Sequence, residues 1–345
     1  MKTTAAVLVA TGRPLEVLDL DVPALQPGQV LVEVAFSGVC HTQVLECGGH
    51  RGRDAYLPHC LGHEGSGVVR EAGPGVVKVK PGDRVVLSWI KGSGADVPAT
   101  RYRHNGGTVN AGAVTTFNRF AVVSENRLTA LRADVPLREA ALLGCAIPTG
   151  FGAVLNTASP RPGQSLAVFG VGGVGLCAVA GAAVAGCNPI IAIDLNDAKL
   201  ALARKLGATH TVLAGDGVNE QLGGLVPGGL DFAIEATGRP VVMNQALACV
   251  RPRGGTAVVI GNARFGETLE IDPRQLNMGK RLLGTWGGDC VPDRDYPRFA
   301  GYLSTRRIDP RPLLSAGYTL DTINAAINDL AAGLVARPIV QLQPA

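Results

Sequence analysis

At 345 residues, with 46% apolar and 17% charged residues, the chain is long enough for two buried cores and too apolar for a disordered protein. Its formal charge of +4 is mild, and the basic clusters "HRGRD" and "TRYRH" are short enough to be solvated surface, so nucleic-acid binding gains little support. The 46 glycines show no period of three, which excludes collagen-like structure.

The opening "MKTTAAVLVATGRPLEVLDL" has six apolar residues in a row before Gly12 and Pro14, too few for the core of a signal peptide, and reads as a first strand. Further β-rich runs follow in "QVLVEVAF", "EGSGVVREAG" and "DRVVLSW", punctuated by the turns "LQPGQ" and "VKPGD". From about residue 148 the texture changes to apolar strands alternating with Ala/Leu-rich helical segments: "SLAVFG", "AKLALARKLG", "DFAIEAT", "VVMNQALACV", "GTAVVIG". That alternation predicts a parallel sheet with helices on both faces. Residues 164–193 carry no charge and are long enough to span a bilayer, but six glycines between 170 and 186 and the Asn188-Pro189 pair favour strand, tight turn, helix and strand; no membrane partner is expected. The pattern breaks at "VPDRDYPRF", resumes as a helix in "DTINAAINDLAAG" and ends in a strand, "RPIVQLQ"; "ETLEID" (267–272) also reads as strand-like. The division predicted is 1–147 as a β-rich domain, 148–289 as a nucleotide-binding domain, and 290–345 as a return to the first.

"VFGVGGVG" sets Gly170, Gly172 and Gly175 in the spacing G-x-G-x-x-G, after an apolar strand and before a helix. The first glycine permits the turn, the second lets backbone approach a pyrophosphate, and the third allows close helix–strand packing. Backbone amides at the helix start, Gly173 and Val174 among them, supply the anion site. Asp194 lies 19 residues after Gly175, where a carboxylate accepts hydrogen bonds from the adenosine ribose and repels the extra phosphate of NADP. NAD(H) is therefore expected over NADP(H), with Lys199 among the cofactor residues. The bland alternative for Asp194 is a cap on the next helix.

Eight cysteines spread from residue 40 to 290 form no dense disulfide framework; a cytoplasmic protein using thiolates for metal is the better expectation. A catalytic zinc needs three protein ligands and an open position. Cys40, His63 and Cys145 could supply them, but no local spacing joins the three, and Cys60, three residues before His63, ranks as highly as Cys40 by spacing alone.

"GHEGSGVVREAGPGV" (62–76), together with "SGVCHT", "GCAIPTGFGA", "GVGGVG" and "RPIV" in that order, resembles the zinc alcohol dehydrogenases of the medium-chain dehydrogenase/reductase family over essentially the whole chain. The resemblance implies an α/β protein: a GroES-like β-rich catalytic domain plus a Rossmann domain with a doubly wound parallel sheet. It implies Cys40, His63 and Cys145 as ligands of one catalytic zinc, and Glu64 as a carboxylate that can approach the metal. Thr42 would touch the substrate oxygen, Thr149 would lie against the nicotinamide, His41 and Arg337 near the pyrophosphate, and Trp89 in the substrate pocket. The implied reaction interconverts an alcohol and an aldehyde or ketone, with zinc as Lewis acid, in a homodimer or homotetramer for which "ETLEID" could be a pairing edge.

Three departures from the family pattern stand out. The lobe 88–116, where many relatives hold a structural zinc with four cysteines, has none, so no structural zinc is expected and turns and hydrogen bonds must hold it. Leu45 stands where a relay His is frequent, and Gln43 where Asp is usual. The missing relay His motivates an alternative, reduction of an activated C=C or C=N bond on the same fold; a non-catalytic NAD-binding protein is the third reading.

Overall fold

Strands rich in β-branched residues and turns rich in glycine organise the first part of the chain, and helices appear mainly after Cys145. The structure, a computed structural model, describes residues 1–343. Its contacts divide the chain into two units. One contains Met1–Cys145, Val291–Arg306 and the segment from Leu314 onward; the other contains Ala146–Cys290 and Arg307–Leu313.

In the first unit, Lys2–Leu8, Glu16–Asp21, His59–Cys60, Arg101–His104 and Gly107–Asn110 close into a small barrel. Beside it a mixed sheet is built on Gln29–Gly38, which pairs with Glu64–Ala72, Phe120–Ser124 and the late strand Arg337–Gln341. The tail thus enters the sheet next to the strand that leads into the "CHT" segment, residues 40–42. Alternate residues of these strands (Val30, Val32, Val34; Val85, Leu87) are fully or almost fully buried in one core that also takes Ile323 and Ala326 from the helix Ile323–Ala331. Each such side chain contributes about 1.5–3 kcal/mol through removal from water.

Residues 292–304, where the sequence shows only a broken pattern, form a helix, Pro292–Ser304. Pro292 sits at its first turn, where the missing N–H costs nothing. Tyr296, Phe299, Ala300 and Leu303 then place a buried stripe on one face despite the internal Pro297. Two prolines and four charges disguise the stripe in the sequence.

The second unit is a six-stranded parallel sheet. Numbered along the chain from Leu166–Phe169, its strands run 3-2-1-4-5-6, ending at the edge strand Arg281–Gly284. "LAVF", "IIAID" and "FAIE" are almost continuously buried because helices cover both faces of a doubly wound sheet. The charge-free segment is a strand (Leu166–Phe169), a turn, a helix (Gly173–Ala185) and a strand (Ile190–Asp194). No single described helix is long and apolar enough to cross a membrane. Residues 267–272, expected to extend as a pairing edge, form no strand; without a neighbour to pair with, their alternation has no partner to stabilise it, and the outer edge is Arg281–Gly284 instead.

Candidate metal centre and dinucleotide site

Three chain segments deliver the metal pocket. Cys40 follows the strand Gln29–Gly38 and caps the short helix His41–Cys47. His63 precedes the strand Glu64–Ala72 and follows Gly62, whose φ of +89° and close approach to Phe117 admit no side chain. Cys145 closes the turn Ala141–Gly144, whose last carbonyl accepts from Ser88 Oγ at 2.8 Å. The ligand atoms of Cys40, His63 and Cys145 all lie within 4.8 Å of one another. Cys60 is elsewhere, buried in the barrel core with Val7 and Tyr102, where burial pushes its thiol up to about 12. The three-dimensional position of the strand ends, and no spacing, separates Cys40 from Cys60.

The pocket's electrostatics are those of a thiolate site. Cys40 is held well below the usual thiol range by a hydrogen bond from Cys145, against burial, with Arg337 and His63 adding to the effect. Cys145 is correspondingly raised, by its bond to Cys40 and then by burial. Burial opposes a charge on His63, but Cys40 and the carboxylates of Glu64 and Glu46 outweigh it and raise His63. Two thiols and an imidazole, gathered dry and close, are a donor set that fits a borderline-soft ion such as zinc.

Glu64 and Arg337, 273 residues apart, form a fully buried ion pair: Nε to Oε1 and Nη2 to Oε2 are both 2.6 Å. The Glu64 carboxylate expected to approach the metal is engaged by this guanidinium, and Arg337, expected beside a pyrophosphate, is 2% exposed. Burial opposes the Arg337 charge, but Glu64, Cys40 and Cys145 outweigh it and raise it further. Glu64 occupies space left by two glycines: a Cβ on Gly38 would strike its carboxylate, and one on Gly144 its backbone. Sequence reading missed this pair, since nothing local links a Glu after a His to an Arg near the C-terminus.

Thr42 is half-buried, its Oγ1 3.8 Å from Cys40 Sγ. His41 is exposed at the helix start. Trp89 is half-buried against the main core of this unit, and its carbonyl accepts from Arg127. Gln43, fully buried, accepts from Cys40 N at 2.9 Å and sets its Nε2 2.7 Å from His63 Nδ1.

In the second unit the turn after Leu166–Phe169 carries the glycine fingerprint. Gly170 has a φ of +83°, and a Cβ on Gly175 would collide with the Gly170 carbonyl. A Cβ on Gly172 would point into open space, and the helix Gly173–Ala185 starts with no side-chain cap to take its first amides, Gly173 and Val174 among them. Asp194 takes Val171 N at 2.8 Å and Asn196 N at 3.0 Å and lines a cavity of about 330 Å³ with Gly170, Thr237 and Arg239. Asn196, not Asp194, caps the next helix, and Lys199 lies in that helix's first turn. Thr149 Oγ1 is buried with no hydrogen-bond partner among the described residues. An open glycine cradle and an orphaned hydroxyl are what a dinucleotide would fill.

Two family profiles match the chain: alcohol dehydrogenase GroES-like domain over residues 26–133 and zinc-binding dehydrogenase over residues 173–304. An S-(hydroxymethyl)glutathione dehydrogenase of Paracoccus denitrificans is 32% identical over 99% of this chain and its own full length. The chain belongs to the zinc-dependent alcohol dehydrogenases of the medium-chain dehydrogenase/reductase family. Among solved structures, an alcohol dehydrogenase zinc-binding domain protein from Burkholderia ambifaria aligns over both full lengths with 33% identity and a TM-score of 0.92. Benzyl alcohol dehydrogenase from Acinetobacter calcoaceticus covers 99% of this chain and 100% of its own at 29% identity and a TM-score of 0.90. As a member of this family the protein is an oxidoreductase for alcohol and aldehyde chemistry, with a zinc-binding Cys-His-Cys pocket and the GroES-like and Rossmann architecture of its relatives.

Proposed function

We propose that the protein uses NAD(H), in preference to NADP(H), to interconvert a small alcohol and its aldehyde or ketone at one catalytic zinc per chain. The observation that carries this reading is the convergence of Cys40, His63 and Cys145 within 4.8 Å. A zinc ion bound there supplies a Lewis acid that lowers the pKa of an alcohol. Thr42, next to Cys40, is suited to hold the substrate's hydroxyl proton, and Trp89 to wall the pocket. Arg337 pairs with Glu64 beside the thiols. Thr149 offers its unpartnered hydroxyl to a carboxamide, and the amides of Gly173 and Val174 offer donors to a pyrophosphate.

The preference for NAD(H) rests on Asp194, whose two oxygens are fixed by backbone amides at the cavity rim, leaving a negative charge where a 2′-phosphate would come. Arg239 in the same cavity is the residue that could oppose it. An NADH and NADPH oxidation screen over aldehydes and ketones tests both points. NADH should win by about tenfold or more, and Asp194→Gly should reverse or level the ratio; equal use by the unmodified chain would remove this part of the reading.

A single zinc is supported by the cysteine-free lobe 88–116, which Glu125 and Asp293 tie down through backbone amides. A homodimer is supported by the edge strand Arg281–Gly284, paired on one side only, with Leu283 and Trp286 exposed beside it. Light scattering of the chain and of Leu283→Lys reads this directly. The eight free cysteines suit a reducing, cytoplasmic setting.

A further inference from the structure

The Gln43 amide has its two ends committed by geometry. The Cys40 backbone N–H is a fixed donor, so the oxygen belongs at the end that lies 2.9 Å from it. The NH₂ end then lies 2.7 Å from His63 Nδ1, which must accept. A neutral imidazole that accepts at Nδ1 carries its proton on Nε2, the nitrogen left to face the sulfurs of Cys40 and Cys145. Ligation needs the opposite arrangement, with the lone pair on the metal-facing nitrogen and the proton on Nδ1, given to an acceptor behind it. With the amide as it stands, that proton meets an amide N–H across 2.7 Å. Turning the amide over cures the clash but sets the NH₂ against the Cys40 N–H. Gln43 is 1% exposed, so no bulk water takes over either donor. A carboxylate of the same length has an acceptor at both ends and serves both donors at once.

We propose that Gln43 is a positioning residue that holds His63 in the tautomer opposite to the one a metal needs, so that metal uptake is coupled to a turn of the Gln43 amide and this pocket binds a divalent ion more weakly, and exchanges it faster, than the same pocket with Glu at position 43. The proposal rests on the reading of Cys40, His63 and Cys145 as the zinc ligands. It makes the family's most local departure in this chain a determinant of metal retention, separate from the hydride chemistry.

Three measurements on the full-length chain decide it. In ¹⁵N-histidine spectra of the metal-free chain, recorded above the pH at which His63 loses its charge, Nδ1 of His63 should read as the unprotonated nitrogen and should switch to protonated when Zn²⁺ is added; Nδ1–H in the neutral imidazole of the metal-free chain would overturn the proposal without any variant. Competition for Zn²⁺ against a chromophoric chelator should give Gln43→Glu about 10–100-fold tighter binding than the unmodified chain, the range found for groups that orient metal-bound histidines. The same comparison is run with Glu46→Gln added to both chains, because Glu46 Oε2 lies 3.5 Å from the Gln43 amide nitrogen and would face a second carboxylate. Co²⁺ loading supplies a thiolate charge-transfer band that reports ligation independently of turnover. Equal affinities with intact Co²⁺ bands overturn the proposal and leave the zinc reading standing, whereas no Zn²⁺ binding and no Co²⁺ band in either chain remove both.

Discussion

Around Cys40, His63 and Cys145 the chain gathers soft donors that leave a charge to be balanced by an ion and by Arg337. Across 88–116 it has no thiol, and order comes from carboxylates reaching in from outside the lobe, Glu125 and Asp293. Glu125, 1% exposed, takes Val77 N at 2.7 Å and Lys78 N at 2.6 Å on one oxygen and Ala95 N at 2.8 Å on the other. Ser124 Oγ accepts from Val97 N and donates to the Ala95 carbonyl, and Asp293 holds Ser93 N. The far end is a hairpin, Arg101–His104 with Gly107–Asn110, closed by Asn105-Gly106, both at positive φ, and locked into the barrel by buried Tyr102. The comparison teaches that a lobe can be ordered by backbone amides converging on a buried anion as well as by a metal, provided every lone pair facing inward has a donor.

Breaking the metal side of this comparison should have the largest effect. Cys40→Ser is expected to lose zinc and to lower alcohol-dependent NADH formation by about a thousandfold or more, the several kcal/mol of a missing Lewis acid; metal analysis and turnover on one preparation check it. Arg337→Met removes the buried ion-pair partner of Glu64 and should cost about 3–5 kcal/mol in urea unfolding.

On the lobe side, Glu125→Gln sets an NH₂ against an amide that now points at an oxygen, and should cost about 2–3 kcal/mol while leaving zinc content unchanged. Burial works against the Glu125 charge, but its three amides and Lys78 prevail and hold its carboxyl below the usual range. Its stabilising contribution is therefore complete above the unfolded-state value, about 4.3, and lost as pH falls through the lower folded value. The stability gap between the two chains should be constant above about pH 5 and shrink below it; a gap that widens with acid would contradict the assignment. The smallest effect belongs to Lys91→Ala, which removes the lobe's pair with Asp96. With both side chains more than half exposed, the loss should lie within the error of urea unfolding.

Local pattern carried much of this molecule. The strands of the parallel sheet, the glycine turn and the final "RPIVQ" strand are legible because alternation, continuous apolar runs and Gly-x-Gly are properties of neighbours in sequence. What local pattern could not carry is contact between distant residues. Cys60 and Cys40 look equivalent until strand pairing puts one opposite Val7 and the other at a strand end. Glu64 meets Arg337 only because the C-terminal strand inserts beside Gln29–Gly38. The anchor Glu125 sits in "VSENRL" with no sign of the three amides it will gather from 30 to 48 residues away. The helix Pro292–Ser304 is a different failure: its buried stripe is present, but prolines and charges interleave it.

Gly38, Glu64 and Gly144 share one volume, and that ties their evolutionary histories together. A methyl group at 38 or 144 displaces a carboxylate or a strand that Arg337 is already holding. Descendants of this gene can therefore explore position 38 only in concert with position 64: Gly38→Ala should be harmful in the present background and tolerated after Glu64 has shortened to Asp. The order in which such changes arise decides which of them selection allows, and a carboxylate chosen for its charge acts also as a steric lock on two backbone positions.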